Sequence, residues 1–169
     1  WKMARKSVPS EIEVKQTITG PHMLARFSVN ERTDLYPDDK ALAKAYADAL
    51  IEELKTVVNE GCKYIQFDEP VWTENVSTTK WGAEILNYII NKFPGIKFNL
   101  HVCGGNAHRK RGFFGRYTDM LEAFKLLKVD EIHLVDGSGK QIISDTQNNK
   151  SNFSTFYKFN YCKFFLWSE

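Results

Sequence analysis

The sequence predicts an α/β chain built on a parallel sheet or barrel, and three observations carry that prediction. Short apolar runs alternate with longer segments of helical period, four times over, at roughly 30 to 40 residues per unit. Each run closes on polar residues where a strand gives way to a loop. The intervening segments repeat their apolar residues at helical spacing, so each offers one face to cover a sheet. Four such units make about half of an eightfold barrel.

Glu13 to Thr19 reads as the first strand, closed by the turn signal Thr19-Gly20-Pro21. A polar loop follows, through Asn30, Arg32, Asp34 and Pro37. Asp38 or Asp39 then caps a long helix from about Lys40 to Asn59, with Leu42, Ala43, Tyr46, Ala47, Leu50, Leu54, Val57 and Val58 on its apolar stripe. Gly61 stops it as a C-terminal glycine. Tyr64 to Phe67 is the second strand, ending in Asp68-Glu69-Pro70. A second helix starts at Ser77 or Thr78, runs through Trp81, Ile85, Leu86, Ile89 and Phe93, and ends at Pro94-Gly95. Ile96 to Val102 is the third strand. A Gly- and Arg-rich loop, Gly104 to Arg116, leads to a third helix from about Thr118 to Lys128, and Glu131 to Val135 is the fourth strand.

After Asp136 the character changes. Gly137 to Asn152 is polar without a clear period, and Phe153 to Trp167 is crowded with aromatics. Residues 1–136 therefore read as one folded unit, and 137–169 as an atypical tail expected to pack poorly.

The composition is ordinary for a globular chain, with 43% hydrophobic and 26% charged residues. A net charge of +2 argues for neither nucleic acid nor a membrane surface as partner. No apolar run approaches the roughly 18 residues that a membrane-spanning helix needs. The three cysteines are widely spaced, which speaks against a disulfide framework and for a cytoplasmic setting. Cys62, beside the second strand, reads as a small buried residue. The chain opens on Trp1 rather than Met, so a missing upstream portion is expected.

Active sites of parallel α/β folds lie at the carboxyl ends of the strands, where the polar motifs of this chain cluster. His101 and Cys103 are spaced i, i+2 and so project to one side of the third strand. Imidazole and thiolate together favour zinc over cations that prefer oxygen. The acidic pair Asp68-Glu69 stands at the equivalent end of the preceding strand, on the same rim. His22, after Gly20-Pro21, is a further rim candidate. Arg109, in the run His108-Arg109-Lys110-Arg111 beside the Gly104-Gly105 turn, is a candidate to receive an anionic substrate group, the alternative being that this charge run is a solvated surface loop. His133 lies mid-strand and reads as structural.

Three stretches occur in order: Val14-Lys15-Gln16-Thr17-Ile18-Thr19-Gly20-Pro21, Tyr64-Ile65-Gln66-Phe67-Asp68-Glu69-Pro70 and His101-Val102-Cys103. They resemble the carboxy-terminal catalytic barrel of cobalamin-independent methionine synthase and its thiol-alkyltransferase relatives, over about Ser10 to Val135. The resemblance implies a partial TIM (β/α)8 barrel comprising its fourth to seventh strands. It implies a zinc ion as cofactor, a small homocysteine-like thiol as one substrate, and a folate-like methyl or alkyl donor as the other. By position, His101 and Cys103 are implied as zinc ligands. Asp68 is implied as the partner of the substrate's amino group, with Glu69 in support.

The chain departs from the family pattern at two ligands. A Glu is expected after the fourth strand, where this sequence has Val135-Asp136, leaving Asp136 as the substitute. A later Cys is also expected, and Cys162, in Asn160-Tyr161-Cys162-Lys163, does not match its setting. Two function classes follow: a zinc-dependent enzyme transferring a methyl or alkyl group to homocysteine or another small thiol, or a truncated, non-catalytic remnant of that family.

Overall fold

The computed structural model describes residues 1–105 and 115–135 in full, and the backbone of 141–145. A short helix α1 (Lys2–Lys6) precedes strand β1 (Gln16–Thr19) and helices α2 (Pro21–Phe27) and α3 (Asp39–Asn59). Strand β2 (Tyr64–Asp68) is followed by helix α4 (Thr79–Ile90), and β3 (Lys97–Val102) by helix α5 (Leu121–Leu126). Strands β4 (Glu131–Val135) and β5 (Gln141–Asp145) close the order.

The first four strands are parallel and lie in chain order, β1-β2-β3-β4. A doubly wound sheet reverses its strand order at a switch point, whereas a barrel wall never does, and this order never does. The strands alternate between two faces. Ile65 and Phe67, Phe98, Leu100 and Val102, and Ile132 and Leu134 are buried on one. The Phe67 and Phe98 rings stack there at 5.6 Å between centroids.

The helices cover this apolar face. From α3 come Leu42, Ala43, Ala47, Leu50, Ile51 and Leu54, from α4 Ala83, Ile85, Leu86 and Ile89, and from α5 Ala123 and Phe124. Most of the stabilisation comes from this layer, since burying one large apolar side chain contributes roughly 1.5–3 kcal/mol. The opposite face carries the polar Thr17, Thr19, Gln66, Asp68, Asn99, His101, Glu131 and His133, with Val135 at the end of β4.

The predicted helices and strands are present, with local differences that have physical causes. The loop expected after Thr19 begins instead with α2, because Pro21 at the first helical position is preset for a helix start as well as for a turn. Asp38 is the cap of α3, its Oδ1 accepting from the Ala41 amide at 2.7 Å, and Gly61 follows its end at φ 99°. The third helix is split into a 3-10 turn (Tyr117–Met120) and the short α5. Its end is held by Asn87 of α4, which donates to the Leu126 carbonyl at 2.7 Å and accepts from the Lys128 amide at 2.8 Å.

The larger difference is β5. Gln141–Asp145 falls in the stretch read as polar and without period, yet it pairs antiparallel with the whole of β4. Residues 136–140 are all that separate the two strands, a hairpin length, whereas a parallel return needs a dozen or more. The remainder of the 137–169 tail, Cys162 included, lies outside the described residues.

Candidate functional site at the strand ends

Parallel pairing sets the strand ends side by side. Thr19 is in register with Asp68, Asp68 with His101, and His101 with His133, forming one rung across four strands. The ladder continues one step past it. The Gly20 amide donates to the Asp68 carbonyl and the Glu69 amide to the His101 carbonyl, both at 2.9 Å. The two motifs that stand apart in sequence are thus one hydrogen-bonded edge.

Asp68 and His101 share the open face. Asp68 Oδ1 accepts from Gln66 Nε2 at 2.7 Å, and Gln66 Oε1 accepts from Lys15 Nζ at 2.5 Å. The His101 imidazole is held below its ordinary pKa by burial. The Asp68 charge opposes that shift, while His133 and Lys15 reinforce it. A neutral imidazole is the form that ligates metal. Its Nδ1 is buried and has no hydrogen-bond partner, which fits a ligand nitrogen.

Cys103 is a free, half-buried thiol two residues on, just past the end of β3. Its backbone is fixed on two sides. The Thr73 hydroxyl donates to the Cys103 carbonyl at 3.0 Å. The Tyr117 hydroxyl lies 3.1 Å from the Val102 carbonyl and 2.7 Å from that of Val135, tying the ends of β3 and β4.

Glu69 goes the other way. It is 0% exposed, and its Oε1 and Oε2 accept from the His22 and Met23 amides at 3.0 and 2.9 Å. Glu69 therefore caps the start of α2 from a distance, meeting donors that the helix itself leaves unpaired. Burial pushes its carboxyl up to about 8, against the pull of the two amides. Gly20 leaves the room: a Cβ there would stand 2.0 Å from Glu69 Oε1. The φ of Gly20 is an ordinary −72°, so the requirement is for space rather than for backbone freedom.

His22 is 2% exposed and sits in the helix layer, away from the open face. Its ring lies 4.1 Å from that of Trp81, and its Nε2 is 3.1 Å from the Thr78 hydroxyl. Burial, with a contribution from Arg26, lowers its pKa to about 4. His133 is buried on the open face, with Nε2 3.0 Å from Glu131 Oε2.

The structure thus sets Asp68 beside His101, with Cys103 two residues further along the chain, and separates Glu69 and His22 from them. Arg109 and Asp136 lie outside the described residues. Among the described residues no group of three or more His, Cys, Asp or Glu side chains converges to hold a metal ion. The sequence reading missed Lys15, Gln66, Thr73 and Tyr117. The first two were findable, since each lies in an expected strand at a spacing that shares a face with a rim residue; Tyr117 and Thr73 carry no such signal.

Residues 1–110 match the model of the cobalamin-independent synthase catalytic domain. The chain belongs to that family. A methionine synthase of Saccharolobus solfataricus is 34% identical over 128 residues, covering 76% of this chain and 34% of that protein. One from Sulfurisphaera tokodaii is 34% identical over 129 residues with the same coverage. The chain therefore spans about a third of the length of these curated relatives. A B12-independent methionine synthase from Shewanella sp., in complex with selenomethionine, shares the fold with a TM-score of 0.63 at 21% identity, over 78% of this chain and 39% of that one. A putative counterpart from Listeria monocytogenes gives 0.56 at 21% identity, over 75% and 40%. The four parallel strands are accordingly a wall segment of a (β/α)8 catalytic barrel. Among the described residues no helix is long and apolar enough to cross a membrane.

Proposed function

We propose that this chain carries the thiol-binding edge of a zinc-dependent methyltransferase, which moves a methyl group from methyltetrahydrofolate to homocysteine to give methionine. The observation that supports it is the rung itself: Asp68 and His101 are lateral neighbours, with Cys103 two residues beyond, in a chain of the cobalamin-independent synthase family.

The donors fit zinc in kind. His101 and Cys103 would hold the ion, joined by Asp136, which the family resemblance puts in the place of a Glu. When bound, zinc lowers the pKa of a thiol so that it is a thiolate near neutral pH. The chain's own residues do the rest. Asp68 receives the substrate's ammonium group, and its place beside His101 sets the distance from amine to metal site. The buried Glu69 holds α2, and with it the end of β1, against the rim. Arg109 in the basic loop is assigned to an anionic substrate group.

One observation favours the remnant reading. β5 runs antiparallel along β4, at the edge where a barrel would continue with a parallel strand. The 169-residue chain by itself is therefore expected to turn over poorly. A zinc titration and a thiol-methylation assay on the purified chain separate the readings. Stoichiometric zinc with turnover abolished by a chelator establishes an enzyme in its own right. Zinc that fails to bind, with no turnover, leaves the remnant.

A further inference from the structure

The open face has a polar layer directly beneath the rim, where a barrel interior usually carries bulky branched side chains. Gln66 is in register there with Thr17 and Asn99, one residue pair below Asp68. It is only 8% exposed, and both ends of its amide are engaged. Lysine can only donate, so the contact with Lys15 Nζ at 2.5 Å defines which end of the amide is oxygen. The NH2 group must then face Asp68, and it donates to Oδ1 at 2.7 Å. A carboxylate has two oxygens, and this arrangement occupies one from below.

From these contacts we infer that Gln66, oriented by Lys15, is a positioning residue that fixes the Asp68 carboxylate so that its second oxygen meets the amine of the thiol substrate. The inference rests on the amine-binding role of Asp68 proposed above. It adds a specificity consequence. The Gln66 amide should matter for thiols that carry an α-amino group and not for those that lack one. A hydrogen bond to a charged group is strong enough for its loss to change affinity by about tenfold or more.

The test is calorimetric titration of the zinc-supplemented chain with L-homocysteine and with its des-amino analogue, which keeps the thiol and the carboxylate. Wild type is expected to favour the amino thiol by at least about tenfold. Gln66→Met, of equal length but without a donor, is expected to remove about tenfold of that affinity and to leave the des-amino thiol unchanged. Equal weakening of both thiols by the folded variant, or weakening of neither, overturns the inference while leaving Asp68 as the amine contact. A wild-type chain that does not distinguish the two thiols is a different result: it removes Asp68 from that role, and Gln66 with it. A second measurement needs no Gln66 variant. The Gln66 side-chain amide protons should resonate downfield in wild type and move toward the free-amide position in Asp68→Ala; an unmoved resonance would refute the contact.

Discussion

Asp68 and Glu69 are adjacent carboxylates whose surroundings are opposite. Asp68 ends β2 on the open face, half-buried, with an amide beneath it and His101 beside it. Glu69 is turned to the helix side, enclosed, and spent on two backbone amides of α2. The difference follows from the pleat. Consecutive strand residues point to opposite faces, so one motif serves both the site and the scaffold. Here the helix-covered face bears the stability, and the open face carries the residues proposed for the chemistry, with little stability at stake.

The strongest way to break this division is Glu69→Ala. It leaves two buried amides unpaired beside a void, and is expected to lower stability by about 3–5 kcal/mol in urea denaturation. A loss below about 1 kcal/mol would show that Glu69 is not the scaffold member of the pair.

Gly20→Ala should destabilise almost as much, because its Cβ would collide with the Glu69 carboxyl, 2.0 Å from Oε1 and 2.4 Å from Cδ. The double variant Gly20→Ala/Glu69→Ala sharpens the point. The clash vanishes with the carboxyl, so its loss should be close to that of Glu69→Ala alone, a large departure from additivity.

The buried His22 supplies a pH signature of the helix layer. Its folded pKa, about 4, lies below the ordinary 6.5 of the unfolded chain, so the unfolded state binds more protons between these values. Stability should therefore fall as the pH drops from about 6.5 toward 4, by roughly 2–3 kcal/mol from this residue. Denaturation curves of His22→Gln, run beside wild type across that range, should lack this portion of the slope.

Smallest in stability is Asp68→Asn, since asparagine still offers Gln66 an acceptor oxygen. The midpoint should move by no more than about 0.5 kcal/mol, while preference for an amino thiol is lost. Cys103→Ser should likewise fold normally and bind less than stoichiometric zinc by metal analysis. A Cys103→Ser chain that retains full zinc affinity would place the metal elsewhere.

The alternation of apolar runs and helical stripes was enough to read four strands, the helices that follow Pro37, Glu74 and Arg116, and the rim on which Asp68, His101 and Cys103 lie. Those features depend on local periodicity and on where each strand stops, and both are written in the order of residues. Asp68 and His101 are 33 positions apart, and only parallel pairing makes them neighbours. The roles of Glu69 and His22 were decided by packing, because neither carboxylate nor imidazole announces which side of a sheet or helix will enclose it. The Lys15–Gln66–Asp68 chain joins the residue just before β1 to two residues of β2 through side-chain geometry, and the Tyr117 hydroxyl joins the ends of β3 and β4. Likewise β5 was decided by tertiary context. Its few apolar residues form no period, and what makes it a strand is the free edge of β4 and a connection too short for anything but a hairpin.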